Sequence, residues 1–87
     1  MPSSYLSTIE AHVRQQLDAE EAPGIDWLAL ADAAHGLVRR INEQDIEVSP
    51  IVYQFLDETM DRRDTAYGAF RRELLRAALA EGTAFPS

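Results

Sequence analysis

Residues 49–82 read SPIVYQFLDETMDRRDTAYGAFRRELLRAALAEG and predict two helices separated by a short break. Ser49 is a good helix cap, and Pro50 suits the first helical position, where its fixed φ is favourable and no N–H is needed. Aspartate is a poor residue inside a helix but a good cap. We therefore expect one helix over about 50–61 and a last helix over about 65–81.

A single continuous or kinked helix is the alternative for this region. The apolar spacing of Val52, Leu56 and Met60 continues in phase through Tyr67. Such a helix would have about 32 residues and be roughly 48 Å long, which is awkward for a small monomer but natural in an elongated dimer. We favour the break, with Asp64 or Thr65 as the cap of the last helix, because two shorter helices close a small core more easily.

Two further helices are expected before this region, over about 4–21 and about 26–42. In the first, apolar residues recur at the helical spacing of three or four, and Pro23 with Gly24 follows its end. The second has the same rhythm after the cap residue Asp26. The apolar positions are Leu6, Ile9, Val13 and Leu17 in the first helix, and Trp27, Leu30, Ala34, Leu37 and Ile41 in the second. The fold class is all-α, a small bundle of four helices.

The second helix has the widest apolar face, so we expect it to be the most buried element, with Trp27 and Leu37 in the core. Gly36 lies in the middle of this helix at a cost of about 1 kcal/mol relative to alanine. Either another helix backbone crosses closely at that position or the glycine faces solvent.

The length and composition predict one domain, residues 1–87, with frayed ends at 1–3 and 83–87. The chain has no cysteine, so neither a disulfide nor a thiolate metal site stabilises it. We predict no cofactor. We also predict a cytoplasmic protein, since the sequence shows neither a signal peptide nor an apolar run of about 20 residues. Thirteen alanines and no lysine are typical of a GC-rich bacterial genome.

The charges are unevenly distributed along the chain. The net charge is −5 over residues 1–32, −4 over residues 33–61 and +2 over residues 62–87. The last segment contains five arginines, which suit the recognition of carboxylates or phosphates. On a helical projection of the last helix, Arg72 and Arg76 fall on the solvent face. Arg62 falls near the side opposite the apolar face.

These arginines leave a nucleic-acid-associated regulator as an alternative function. The acidic remainder of the chain opposes the approach of a polyanion, so direct nucleic-acid binding is not the function we favour.

Three acids raise the question of a metal site. Asp57, Asp61 and Asp64 would share one face if the helix were continuous, and carboxylates so arranged can hold Mg²⁺, as in helical nucleotide hydrolases. A solvated, salt-bridged face is the preferred interpretation, because the neighbouring arginines compete for the same carboxylates. No metal site is predicted. The chain also lacks a nucleophile elbow and a phosphate-binding glycine loop, so we predict that it is not an enzyme.

The favoured function is a non-catalytic protein-binding module. Small acidic proteins of this kind capture basic, often nucleic-acid-handling partners, as inhibitors, immunity or antitoxin-like neutralisers, or assembly adaptors of bacterial or phage systems. The wide apolar face of the last helix also predicts a homodimer, with Arg71 bridging to acids of the other subunit. The predicted partner-binding residues are Arg63, Tyr67, Phe70, Arg71, Leu75 and Leu79.

Overall fold

A computed structural model describes residues 4–85, apart from the side chain of Ser4. The helices are α1 (Ser4–Glu21), α2 (Trp27–Glu43), α3 (Pro50–Asp57) and α4 (Thr65–Glu81), with a short 3₁₀ helix at Met60–Arg63. No strand occurs within residues 4–85. The prediction of an all-α bundle of four helices is confirmed.

Side-chain caps start α2, α3 and α4 where the sequence predicted them. The side chains of Asp26, Ser49 and Asp64 each accept a hydrogen bond from the backbone N–H three residues later. Gly82 ends α4 with a φ of 75°, a left-handed conformation that favours glycine. Local hydrogen bonding therefore fixes these helix boundaries.

The connection between α3 and α4 is broken, as the favoured interpretation required. Asp64 has φ −66° and ψ 125°, which is extended backbone between the 3₁₀ helix and α4. The alternative of one continuous helix is therefore wrong. Helix α3 is also shorter than predicted, since it ends at Asp57. A two-residue turn follows, and the 3₁₀ helix starts at Met60.

The buried apolar side chains form one cluster to which every α-helix contributes. Its members are Ile9, Val13 and Leu17 of α1, Ala34, Val38 and Ile41 of α2, Val52, Phe55 and Leu56 of α3, Leu75 and Ala78 of α4, and Ala84. Helix α2 contacts α1, α3 and the 3₁₀ helix, while α4 contacts α3 and the 3₁₀ helix.

The core of α2 differs from the expectation. Trp27 is half-buried and lies outside the core cluster, and Leu37 packs against that cluster from a half-buried position. Val38 and Ile41 are the large apolar side chains that α2 buries. Gly36 is exposed with no atom near the position of a Cβ, so it faces solvent and no helix crosses there.

The C-terminal segment packs against the helices as far as the structure describes it. The backbone N–H of Thr83 donates to the carbonyl of Ala78, Ala84 is buried, and Phe85 packs against the core cluster. Residues 83–85 therefore pack onto the helices, and the predicted fraying of the end stays a prediction. The other expected frayed residues, 1–3 and 86–87, lie outside the described part of the chain.

Candidate protein-binding surface

A buried ion pair joins the 3₁₀ helix to the end of α1. Arg62 donates from Nε to Glu20 Oε1 at 2.9 Å and from Nη2 to Glu20 Oε2 at 2.8 Å. A second guanidinium, that of Arg72 on α4, donates to Glu20 Oε1 at 3.0 Å. The side chains of Arg62 and Glu20 are almost fully removed from solvent, and that of Arg72 is 12% exposed. One carboxylate therefore binds two arginines from two later elements.

An amide and a hydroxyl add hydrogen bonds to this buried group, in which Arg72 Nε is buried without a partner among the described residues. Gln16 Nε2 donates to Glu20 Oε2 at 2.8 Å and to Thr59 Oγ1 at 3.2 Å. The Thr59 hydroxyl donates to the carbonyl of Leu56. Since both Gln16 amide hydrogens are committed, its Oε1 accepts from His12 Nε2, at 2.6 Å. His12 therefore donates to Gln16 and supports the buried group.

Gly68 permits the close approach of α4 to this group. A Cβ at that position would lie 2.6 Å from the carbonyl oxygen of Arg62 and 3.0 Å from Nη1 of Arg72. The first distance is to backbone, which cannot move aside as a flexible side chain can. The absence of a side chain at Gly68 therefore allows the 3₁₀ helix and α4 to meet.

A further arginine of α4, Arg76, also binds α1. It donates to Glu21 Oε1, and its Nη2 lies 3.8 Å from Asp18 Oδ1. The hydrogen bond from Arg76 lowers the pKa of Glu21 below its ordinary value, and the same bond raises the pKa of Arg76. The predicted positions of Arg62 and Arg72 are thus wrong, because both side chains are largely buried against α1. Arg76 is exposed, as predicted, although it too binds acids of α1.

The ion pairs divide the charges of the molecule into two parts. Within residues 4–85, four arginines form ion pairs, and every acid they bind belongs to α1. The arginines are Arg14, Arg62, Arg72 and Arg76, and the acids are Glu10, Asp18, Glu20 and Glu21. The four paired acids and four paired arginines cancel in charge. The chain has 15 acids and 8 arginines in total, so 11 acids and 4 arginines are not in ion pairs within residues 4–85, and these account for the whole net charge of −7. We call these eight paired residues the neutral seam.

Helix α4 exposes apolar side chains on the side away from α1. Tyr67, Phe70 and Leu74 are 36%, 58% and 38% exposed, and all three lie outside the cluster of buried core residues. Their spacing of three and four places them on one helical face, which we call the exposed stripe. Two of the predicted partner-binding residues, Tyr67 and Phe70, lie in it. Leu74 was not among those residues.

Two other predicted partner-binding residues belong to the interior. Leu75 is 0% exposed and is a core residue, so its assignment to a binding surface is wrong. Leu79 is half-buried and packs against the core cluster. Leu74 and Leu75 are neighbours in the wide apolar sector of α4, and the structure turns Leu75, rather than Leu74, toward the core.

The remaining two predicted residues, Arg63 and Arg71, have partners within the protein. Arg63 is exposed and donates from Nε to the carbonyl of Met60. Arg71 is half-buried, donates to Gln54 Oε1 of α3, and has its guanidinium 5.9 Å from the centre of the Tyr67 ring. Neither arginine forms an ion pair within residues 4–85.

Acids lie at the N-terminal end of the exposed stripe. The Tyr67 hydroxyl donates to Glu58 Oε1 at 2.7 Å. This hydrogen bond raises the pKa of Tyr67, and the negative charges of Glu58 and Asp61 add to the effect. A phenol on an otherwise apolar face is therefore bordered by carboxylates.

The acids considered for a metal do not form a site. Asp57 ends α3, Asp61 lies in the 3₁₀ helix, and Asp64 caps α4, so the shared face of a continuous helix does not exist. Within residues 4–85, no three His, Cys, Asp or Glu side chains are grouped so that they could hold a metal ion. The magnesium-dependent alternative loses its geometric basis.

Sequence reasoning missed the buried group of Gln16, Glu20 and Thr59. A signal was present for α1, because positions 16 and 20 continue the helical face of the buried residues Ile9 and Val13. Polar residues on an apolar face indicate a buried hydrogen-bonded partner. The sequence did not indicate that Arg62 and Arg72 would be those partners, since they lie 42 and 52 positions from Glu20 along the chain.

None of the helices described between residues 4 and 85 is long and apolar enough to cross a membrane. Comparison of the chain with protein-family models, with curated proteins and with solved structures gave no match.

Proposed function

We propose that this protein is a non-catalytic binding module that uses the exposed stripe and the acids around it to hold a basic protein. An inhibitor, an immunity or antitoxin-like neutraliser and an assembly adaptor all operate in this way. The proposal places the partner on α4 and the adjoining part of α3, and leaves the neutral seam to stabilise the fold.

The observation that carries this proposal is the exposed stripe itself. Phe70 is 58% exposed, although so short a chain has few large apolar side chains with which to build its core. Large apolar side chains that lie together on a surface are typical of interaction sites. The core residue Leu75 lies directly beside Leu74 in sequence, so the stripe is anchored on a helix held in place by packing. Such a rigid support suits a preformed binding face.

The distribution of charge supports a basic partner. The neutral seam uses four of the eight arginines, so the rest of the surface presents 11 acids against 4 arginines. A surface of this sign accelerates the encounter with a positively charged protein. It also disfavours the nucleic-acid alternative, since Arg62, Arg72 and Arg76 are occupied by carboxylates of α1.

The area of the exposed stripe favours a different protein over a second copy of this chain. The three side chains expose roughly 250 Å² in total, whereas a stable interface takes about 800 Å² from each partner. The remaining area must therefore come from acidic surface. In a homodimer that surface would meet its own negative charge, while a basic partner would complement it. The homodimer on the same stripe stays the alternative occupant.

The proposal is tested by comparing two exposed leucines. Leu74 lies in the exposed stripe, and Leu28 is 70% exposed at the start of α2, outside it. A photo-crosslinking residue is placed at position 70 or at position 28 in the native host, and the protein joined only through position 70 is identified and purified. We expect Leu74→Glu to weaken binding of that protein by tenfold or more, roughly the loss of one buried anchor side chain. The matched control Leu28→Glu should leave the affinity unchanged.

Three outcomes would count against the proposal. Cross-links of equal yield from positions 70 and 28 would mean that the stripe is not the binding face. Equal affinities of Leu74→Glu and Leu28→Glu for the purified partner would mean the same. A mass of twice 9.7 kDa for the unmodified protein, reduced to 9.7 kDa by Leu74→Glu, would assign the stripe to a homodimer.

A further inference from the structure

An open cleft of about 470 Å³ lies between the end of α2 and the start of α3. Its apolar lining includes Ile46, Pro50 and Tyr53, and two acids, Asp45 and Glu47, also line it. Neither acid forms an ion pair within the described part of the chain. The cleft thus combines apolar walls with unmatched negative charge.

The end of α2 adds to the negative character of the cleft. Asn42 of the last turn lines it, and the C-terminal end of a helix carries a partial negative charge of about half an elementary charge. Cationic groups are favoured at such a position. The negative character therefore has two independent sources, the carboxylates and the backbone of the helix.

Hydrogen bonds hold the shape of the cleft. The Asn42 amide and the Tyr53 hydroxyl exchange hydrogen bonds of 3.0 and 3.2 Å, which tie α2 to α3. The backbone N–H of Ile46 donates to the carbonyl of Ile41, and Asp45 between them has a left-handed φ of 52°. A non-glycine residue in that conformation is uncommon and is held here by the closed turn. The walls are therefore preformed.

We propose that this cleft binds the side chain of an arginine or a lysine of the partner protein. The proposal rests on the proposed function and adds a second contact to it. The aliphatic stem of such a side chain would lie along Pro50 and Ile46, and its cationic head would meet Asp45 and Glu47. The Tyr53 ring offers a further favourable face to a cation.

The cleft and the exposed stripe are connected. Gln54 lines the cleft and accepts a hydrogen bond from Arg71, whose guanidinium lies over the ring of Tyr67 in the stripe. One partner segment can therefore cover both sites, with apolar side chains on α4 and a basic side chain between α2 and α3. This arrangement explains how a small stripe could be extended into an interface of ordinary size.

The test uses N-acetyl-arginine amide and its neutral isostere N-acetyl-citrulline amide, titrated into the isotopically labelled full chain and followed by amide NMR shifts. We expect saturable shifts at Ile46, Glu47 and Tyr53 with the arginine compound and none with the citrulline compound. The double variant Asp45→Asn with Glu47→Gln should weaken arginine binding by about tenfold, since it removes both carboxylates. Asparagine is chosen at position 45 because it tolerates the left-handed conformation.

The matched control is Asp32→Asn with Glu73→Gln, which removes two exposed acids outside the cleft and should leave the arginine affinity unchanged. Equal weakening by both double variants would overturn the proposal, because it would show a general charge effect. Equal shifts with citrulline and arginine would also overturn it. These titrations contain no partner protein. A negative titration would therefore reject the cleft proposal and leave the Leu74→Glu test of the exposed stripe unaffected. A negative result in the Leu74→Glu test would likewise leave the titrations interpretable.

Discussion

Arg62 and Glu20 form a two-pronged ion pair at 2.9 and 2.8 Å although 42 positions of sequence separate them. The guanidinium also lies over the Phe55 ring, 3.8 Å from its centre. The pair therefore sits at the junction of α1, α3 and the 3₁₀ helix. Its neighbours satisfy its hydrogen bonds, which is the condition under which a buried charge is tolerated.

Glu20→Gln should destabilise the protein by about 3–5 kcal/mol, because Arg62 would stay buried without its carboxylate. Urea denaturation followed by circular dichroism measures the free energy of unfolding. Glu10→Gln is the control, since its pair with Arg14 is exposed and should contribute at most about 1 kcal/mol. Equal effects of the two substitutions would show that burial of the Glu20 pair is unimportant.

Two glycine substitutions in helices should have opposite effects. Gly68→Ala should destabilise the protein by about 1–3 kcal/mol, because the new Cβ would meet the backbone oxygen of Arg62. Gly36→Ala should stabilise it by about 0.5–1 kcal/mol, since that position is exposed and open. Melting temperatures of the two variants check both signs, and stabilisation by Gly68→Ala would contradict the close contact.

Two neighbouring leucines should respond differently to the same substitution. Leu75→Glu should unfold the protein, because it places a charge in the core at a cost above about 3 kcal/mol. Leu74→Glu should retain the helical spectrum and a cooperative melt, since that side chain is 38% exposed. Loss of folding in both variants would indicate that Leu74 also contributes to the core.

The contribution of Arg76 to stability should depend on pH. Its hydrogen bond holds the pKa of Glu21 below the ordinary value of 4.5. A lowered folded-state pKa stabilises the protein above pH 4.5, and that stabilisation is lost as the pH falls through the folded-state value. Arg76→Gln should therefore destabilise the protein at pH 7, by no more than about 1 kcal/mol for so exposed a pair. Urea denaturation should show this difference shrinking at acid pH, and a difference that is constant across the range would contradict the assignment.

The sequence predicted the starts of α2, α3 and α4 and the end of α4 well because caps act locally. Ser49, Asp64 and Gly82 carry their own hydrogen-bonding or conformational preference, whatever the rest of the chain does. The break at Asp64 was predictable for the same reason.

The face that α4 turns inward was not predictable from its own residues. Its apolar sector is wide, and two adjacent leucines, 74 and 75, fit a core position equally well. The choice depends on where α1 places Glu20 and where Gly68 allows a close approach. Those are contacts between residues far apart in sequence, which periodicity does not encode. The ion pairs were not predictable for the same reason, because three arginines of the basic end bind acids of α1 far away in sequence.

The neutral seam has a practical consequence for handling the protein. At neutral pH, like charge on the remaining surface opposes the association of copies that each carry the exposed stripe. As the pH approaches the isoelectric point near 4.6, the net charge vanishes while the apolar side chains stay exposed. Proteins without net charge lose colloidal stability. Solubility should thus be lowest in mildly acid buffer, and purification and crystallisation are best begun well above that pH.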